Sequence, residues 1–184
     1  MISQDGRANG WPATLFANSS VAEGPAIAHL CVKPYSMRKL HFGEAETELP
    51  DNWRSKLDRN GVTMAAPPNQ NVAFLWLSSV SWETPDRPGF NPAEDFFASA
   101  PTPEPTRTED TGDSILAQFV EEDARFETHT FRVLPKRPFG TRCASAILTL
   151  SIKRNGLGSP VAQDALQQTW EIVRKVRFSH DLPA

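Results

Sequence analysis

Cysteine is scarce in this chain: 184 residues carry two thiols, Cys31 and Cys143, set 112 positions apart. Neither lies at metal-ligand spacing with other donors. Cys143 falls in an apolar run and reads as a small buried hydrophobe. Pairing with Cys31 stays open, but one distant pair does not indicate an oxidising compartment. Long hydrophobic runs are missing too: no window approaches the roughly 18 apolar residues of a membrane-spanning helix. The opening "MISQDGRANGWPATLFANSS" has neither a basic n-region nor an unbroken apolar h-region, which argues against a secretory signal. The expectation is a soluble, cytoplasmic protein. A net charge of −3 provides no global field to recruit nucleic acid or an anionic membrane.

Catalytic signatures are equally thin. The four histidines, His29, His41, His129 and His180, show no metal-motif spacing. His41, Glu44 and His129 make the best available metal set, and nothing but proximity to carboxylates recommends them. There is no Gly-x-Ser-x-Gly, and the serines of "LSSVS" read as strand or loop positions. "RNGLGSP" precedes a helix but lacks a Walker lysine, so a plain turn is the stronger reading. Stacking on bases would need a basic groove around the five tryptophans, and none is written in the sequence. We therefore expect a non-enzyme with no catalytic residue, no metal and no cofactor.

What the chain does have is proline, 16 residues against 10 glycines, crowded into connecting regions. Residues 1–36 show no periodicity and read as an irregular leader. Met37 is a candidate alternative start, and residues 37–184 read as one domain. "KLHFGEAETEL" alternates about Gly43 as a hairpin or bent strand, and "GVTMAA" is a short strand before Pro67-Pro68. "NVAFLWLSSV", residues 71–80, has apolar residues in both alternating sets, which predicts a central strand covered on both faces. "NPAEDFFASA", residues 91–100, predicts a short helix capped by Asn91 and docked by Phe96 and Phe97. "PTPEPTRTEDTGD" predicts a loop. Strands follow at 115–120, 126–134 and 143–152. The last puts Ala144, Ala146, Leu148, Leu150 and Ile152 on one face and Ser145, Ile147, Thr149 and Ser151 on the other. "RNGLG" turns the chain into a closing helix capped by Ser159, with Ala162, Leu166, Thr169, Trp170, Val173 and Val176 at helical spacing. The order predicts an α+β fold, an antiparallel sheet flanked by helices.

Two ends of the chain belong together. "ELPDNW", residues 48–53, makes a Leu-Pro corner after a strand, and "ALQQTWEIVRKVRF" closes the domain. The pairing, with "QNVAFLWLSS" and a mid-chain helix, resembles the PsbP-like/DcrB-like α/β/α sandwich superfamily over roughly residues 37–182. The Pro-rich stretch 101–113 is longer and more polar than that pattern. The resemblance implies a non-catalytic protein. Its members include a photosystem assembly subunit, a Ran-binding factor, and bacterial chaperones that accompany type VI secretion effectors, which this chain is most similar to. It further implies a protein partner, such as a secretion effector with hydrophobic segments, and a homodimer.

Two surfaces compete for that partner. Thr128, Thr130, Ser145, Ile147 and Thr149 form a small, half-apolar sheet face suited to covering an apolar helix; the alternative is an ordinary solvated face. The stretch Glu104–Asp123, seven acids and one base, is opposed by six bases and no acid between Arg132 and Arg154. Such blocks fit either partner patches or the solvated faces of neighbouring strands. As a partner patch the acidic stretch would suit an immunity protein neutralising a toxin. An enzyme built on His41 or His129 is the third reading.

Overall fold

The computed structural model describes residues 36–57, 62–68, 72–84 and 89–178, all within one compact unit spanning 34–184. The expected leader, with Cys31 and His29, and the tail with His180 lie outside the described residues.

The chain opens as a hairpin, β1 (Met37–Phe42) and β2 (Ala45–Pro50), turning at Gly43. Gly43 has φ +60, and a Cβ there would sit 2.0 Å from Ser79 Oγ, so the tip needs glycine for both backbone and space. Next come β3 (Arg54–Leu57), β4 (Thr63–Ala66) and the long β5 (Ala73–Glu83). Helix α1 (Pro92–Ala98) starts at Asn91, whose side chain accepts from the N–H groups of Ala93 and Glu94. Four strands follow, β6 (Arg107–Asp110), β7 (Ser114–Glu122), β8 (Phe126–Pro135) and β9 (Arg142–Lys153). A single 3-10 turn over Arg154–Gly156 leads to α2 (Pro160–Arg174), capped by Ser159, and to the two-residue β10 (Arg177–Phe178).

All pairings are antiparallel. The large sheet runs β3-β4-β5-β9-β8-β7-β6 and the small one β1-β2-β10. This is the expected α+β architecture, with α2 on one face of the large sheet and α1 on the other; the separate small sheet was not anticipated. Among the described residues no helix is long and apolar enough to cross a membrane.

The core lies on the inward face of the large sheet. Leu75, Leu77, Phe131, Leu148 and Leu150 point inward and are fully buried beneath α2 and the β1–β2 hairpin, which contribute Ile172, Val173, Phe42 and Leu49. The turn into α2 is tight for a reason: a Cβ on Gly156 would meet Val72 Cγ1 at 2.6 Å.

The "ELPDNW" corner is the lock between hairpin and helix. Pro50 ends β2, the Trp53 N–H donates to the Pro50 carbonyl at 2.9 Å, and the Trp53 ring is 1% exposed. Its indole Nε1 donates to Gln168 Oε1 at 2.5 Å, and Gln168 Nε2 donates to Asp164 one turn back. Thr47 Oγ1 adds a bond to the Ile172 carbonyl at 2.6 Å. The partner of Trp53 is thus Gln168, and Trp170 packs edge-on against Phe131 with ring centroids 5.0 Å apart.

Two expectations need correction. The stretch 101–113 is not all loop, because Arg107–Asp110 pairs with β7 as an edge strand. Propensity hides it: Thr and charged residues suit a half-solvated edge, where little apolar patterning is required. Strand β5 is interior but not covered on both faces: Val80 and Trp82 are exposed.

Replacing Trp53 by Phe strips the indole donor and leaves Gln168 Oε1 buried without it. We predict a loss of about 1–3 kcal/mol in urea denaturation, and a clearly smaller loss in a Gln168→Leu background. Equal losses in both backgrounds would show that the bond contributes nothing.

Candidate functional site

Side chains alternate across a strand, so the register fixes which residues face outward. On β5 these are Phe74, Trp76, Ser78, Val80 and Trp82. They stand beside Ser151, Thr149, Ile147, Ser145 and Cys143 of β9. Across β8 come Thr128, Thr130 and Arg132, paired with Ser151, Thr149 and Ile147. All five residues singled out in the sequence therefore lie on one face: Thr128, Thr130, Ile147 and Thr149 are half-buried, and Ser145 is buried.

Sequence reasoning missed the aromatic half of this face. Phe74 and Trp76 are half-buried and meet edge-on at 6.2 Å, and Phe126 meets Phe74 at 5.5 Å. Val80 is 50% exposed and Trp82 37%. A strand apolar on both sides looked doubly covered, yet only its Ala73, Leu75 and Leu77 side is sealed. The signal lay in the β9 partner positions: Ser145, Thr149 and Ser151 are too small and polar for a second core.

Helix α1 covers the other part of the face. It docks mainly through buried Phe90, Pro92 and Ala93, while Phe96 meets Phe119 edge-on at 6.4 Å and lies under the Arg132 guanidinium at 5.2 Å. Phe97 is half-buried and packs edge-on against Phe96 at 5.3 Å. Between α1 and the strands runs a groove of about 480 Å³, lined among others by Trp82, Phe90, Phe96, Arg132, Leu134 and Ile147.

The titratable candidates behave differently. His129 faces inward, 5% exposed. Gln118 Nε2 donates to its Nδ1 at 2.9 Å, and its Nε2–H donates to Glu127 Oε1 at 2.7 Å. Both ring nitrogens are thereby engaged within the core. His41 is exposed on the small sheet, 3.6 Å from Glu46, and Glu44 pairs with Arg142 at 2.7 Å. The structure does not bring His41, Glu44 and His129 together, and the described residues contain no cluster that would hold a metal ion. Ser79 Oγ accepts from the Glu44 N–H and steadies the hairpin tip. Cys143 is a free, buried thiol whose pKa burial pushes up to about 11.

The acidic stretch is largely spent on the fold. Glu109 takes two bonds from Arg174, at 2.7 and 2.8 Å. Asp110 pairs with Lys136 at 2.7 Å and Glu122 with Arg154 at 2.8 Å. Asp123 accepts the N–H groups of Arg125 and Phe126. Two of these pairs, Asp110–Lys136 and Glu122–Arg154, join the acidic and basic blocks of the sequence. Hydrogen bonds from Arg174 hold the Glu109 carboxyl below its ordinary range; the Lys136 ammonium does the same for Asp110, and two backbone N–H groups for Asp123. Arg107 and Arg174 also stack on the Trp170 ring, at 4.1 and 5.4 Å from its centroid.

No protein-family model matches this chain, and no curated protein sequence matches it. Likeness appears among solved structures. A crystal structure from Bacteroides thetaiotaomicron superposes with a TM-score of 0.51 at 10% identity, covering 74% of this chain and 45% of that one. This chain thus matches less than half of that protein's length, and the likeness shows a shared fold. The Saccharomyces cerevisiae Ran-binding protein Mog1p gives a TM-score of 0.44 at 11% identity over 78% of this chain and 96% of its own. The PsbP protein of Synechocystis gives 0.35 at 15% identity, covering 85% and 100%. The last two superpositions are too loose to argue from.

A carboxylate with a lowered pKa stabilises the fold above its unfolded value and loses that contribution as pH falls. Stability should therefore decline below the ordinary glutamate value of 4.5. Glu109→Gln should cost up to about 1 kcal/mol at pH 7 and flatten the acid limb of a urea-denaturation series. An unchanged acid limb would contradict this role.

Proposed function

We propose that this chain is a non-catalytic protein-binding module of the cytoplasm that shields an apolar segment of its partner. The partner class we favour is a secretion effector with hydrophobic segments, and the binding surface is the outward face of the large sheet. The observation that carries this reading is the exposure of large apolar side chains there: Val80 at 50% and Trp82 at 37%, continuous with half-buried Phe74, Trp76 and Ile147.

The physics favours such a use. A contiguous apolar patch on a soluble protein is a liability unless something covers it. Threonine and serine on β8 and β9 keep the surface low and let a helix approach closely, while their hydroxyls supply hydrogen bonds to a partner. The groove beside α1 adds depth at one end. A homodimer, implied by the PsbP-like resemblance, would double this surface. The competing docking site, the acidic stretch, has four of its seven acids already committed to internal bonds: Glu109, Asp110, Glu122 and Asp123. This weakens the immunity-protein reading.

A water-insoluble, leucine- and alanine-rich helical peptide of about 20 residues, flanked by lysines, serves as probe. The protein should suppress its aggregation in light scattering, and Ile147→Asp should abolish that protection with the melting temperature held. Charge reversal at the exposed acids, Glu104→Lys with Asp113→Lys, should leave it intact. Protection that survives Ile147→Asp and disappears on the charge reversal would favour the immunity reading instead.

A further inference from the structure

The ladder between β4 and β5 stops at Thr63 and Leu77, whereas β5 runs on to Glu83. The six residues Ser78–Glu83 pair with β9 on one side, and among the described residues no strand pairs with the other. Peptide groups alternate in direction along an antiparallel strand, so about half the N–H and C=O groups of this stretch point away from β9. The β1–β2 hairpin tip reaches Ser79 through its inward-pointing hydroxyl, which accepts from the Glu44 N–H.

Soluble proteins protect free strand edges with charges, prolines, bulges or very short strands. Elsewhere this fold does so. Strands β3 and β6 are four residues long and carry Arg54, Lys56, Arg107, Glu109 and Asp110. The edge strand β1 carries Arg38, Lys39 and His41. The run Ser78-Ser79-Val80-Ser81-Trp82 has none of these devices. Its register with β9 is unbroken from Ala73 to Glu83, so no bulge twists it away. The first charge is exposed Glu83, whose ladder neighbour Arg142 is already bonded to Glu44 at 2.7 Å.

We propose that Ser78–Glu83 is a strand-acceptor edge. Its occupant is an extended segment of a partner protein, with β-branched or aromatic residues opposite Val80 and Trp82 and a lysine or arginine opposite Glu83. Backbone hydrogen bonds supply the docking, and the alternate side chains extend the outward apolar face beyond β5. The base answers Glu83, whose β9 neighbour Arg142 is already committed to Glu44. The inference rests on the protein-binding reading above and specifies how part of the partner is held.

The test is hydrogen exchange on the full chain with a synthetic peptide of alternating threonine and valine carrying one lysine. A control peptide has the same sequence, N-methylated throughout its core. The first peptide should slow exchange at Ser78–Glu83 about ten-fold at saturation, and the methylated one should not. Glu83→Lys should weaken the lysine peptide about two- to five-fold, and a glutamate in place of the peptide's lysine should restore it. Equal protection by the methylated peptide, protection centred elsewhere, or no protection by either overturns the proposal. Slow exchange at these residues without peptide, relieved on dilution, would place a second copy at the edge and also overturn it. If Ile147→Asp still abolishes shielding of the apolar helix in any of those cases, the protein-binding reading stands and only the strand edge fails.

Discussion

A seven-stranded sheet has two faces, and among the described residues there is one long helix to cover them. That mismatch governs the molecule. The inward face is sealed by α2 and the β1–β2 hairpin together, and the seal depends on holding the hairpin to the helix. Trp53 does this by burying its ring and donating to Gln168, with Thr47 bonded to the Ile172 carbonyl beside it. Among the described residues, the outward face receives the seven-residue α1 with its flanking Phe90. Its remainder carries hydroxyls and half-exposed aromatics, a composition between core and solvent.

The functional reading follows from where the polar groups are spent. His129 sits in the core with both nitrogens bonded, and Glu109, Asp110, Glu122 and Asp123 are tied into the fold. These groups are occupied, whereas Val80 and Trp82 on the outward face are apolar and exposed. On the proposed reading, the outward face takes a packed apolar segment and the Ser78–Glu83 edge an extended one.

Much of this was legible in the sequence. Caps at Asn91 and Ser159, each followed by proline, marked both helices, and alternation in 143–152 separated the two faces of β9. The Leu-Pro corner was readable as structural, although its partner in α2, Gln168, was not, because a glutamine on a helix carries no signal of what it will meet. What stayed hidden needed neighbours. Edge strand β6 has no apolar rhythm and exists because β7 lies beside it. The apolar residues on both sides of β5 looked like double burial, because periodicity reports residue type and not what covers it. The charge blocks 104–123 and 132–154 gave no sign that Asp110 would meet Lys136 and Glu122 would meet Arg154, since that depends on which strands pair. The five outward residues named from sequence fall on one face, but its aromatic anchors came only with the register.

The most direct test is a proton–nitrogen NMR spectrum of the tryptophan indoles, recorded with and without the lysine-flanked apolar helix. Trp76 and Trp82 report on the outward face, Trp53 on the sealed corner, and Trp170 on the charged surface of Arg107, Glu109 and Arg174. Shifts or broadening confined to Trp76 and Trp82, with Trp53 and Trp170 unmoved, are the predicted result. Movement of the Trp170 signal with Trp76 and Trp82 unchanged would contradict it and place the partner on the charged side of the molecule.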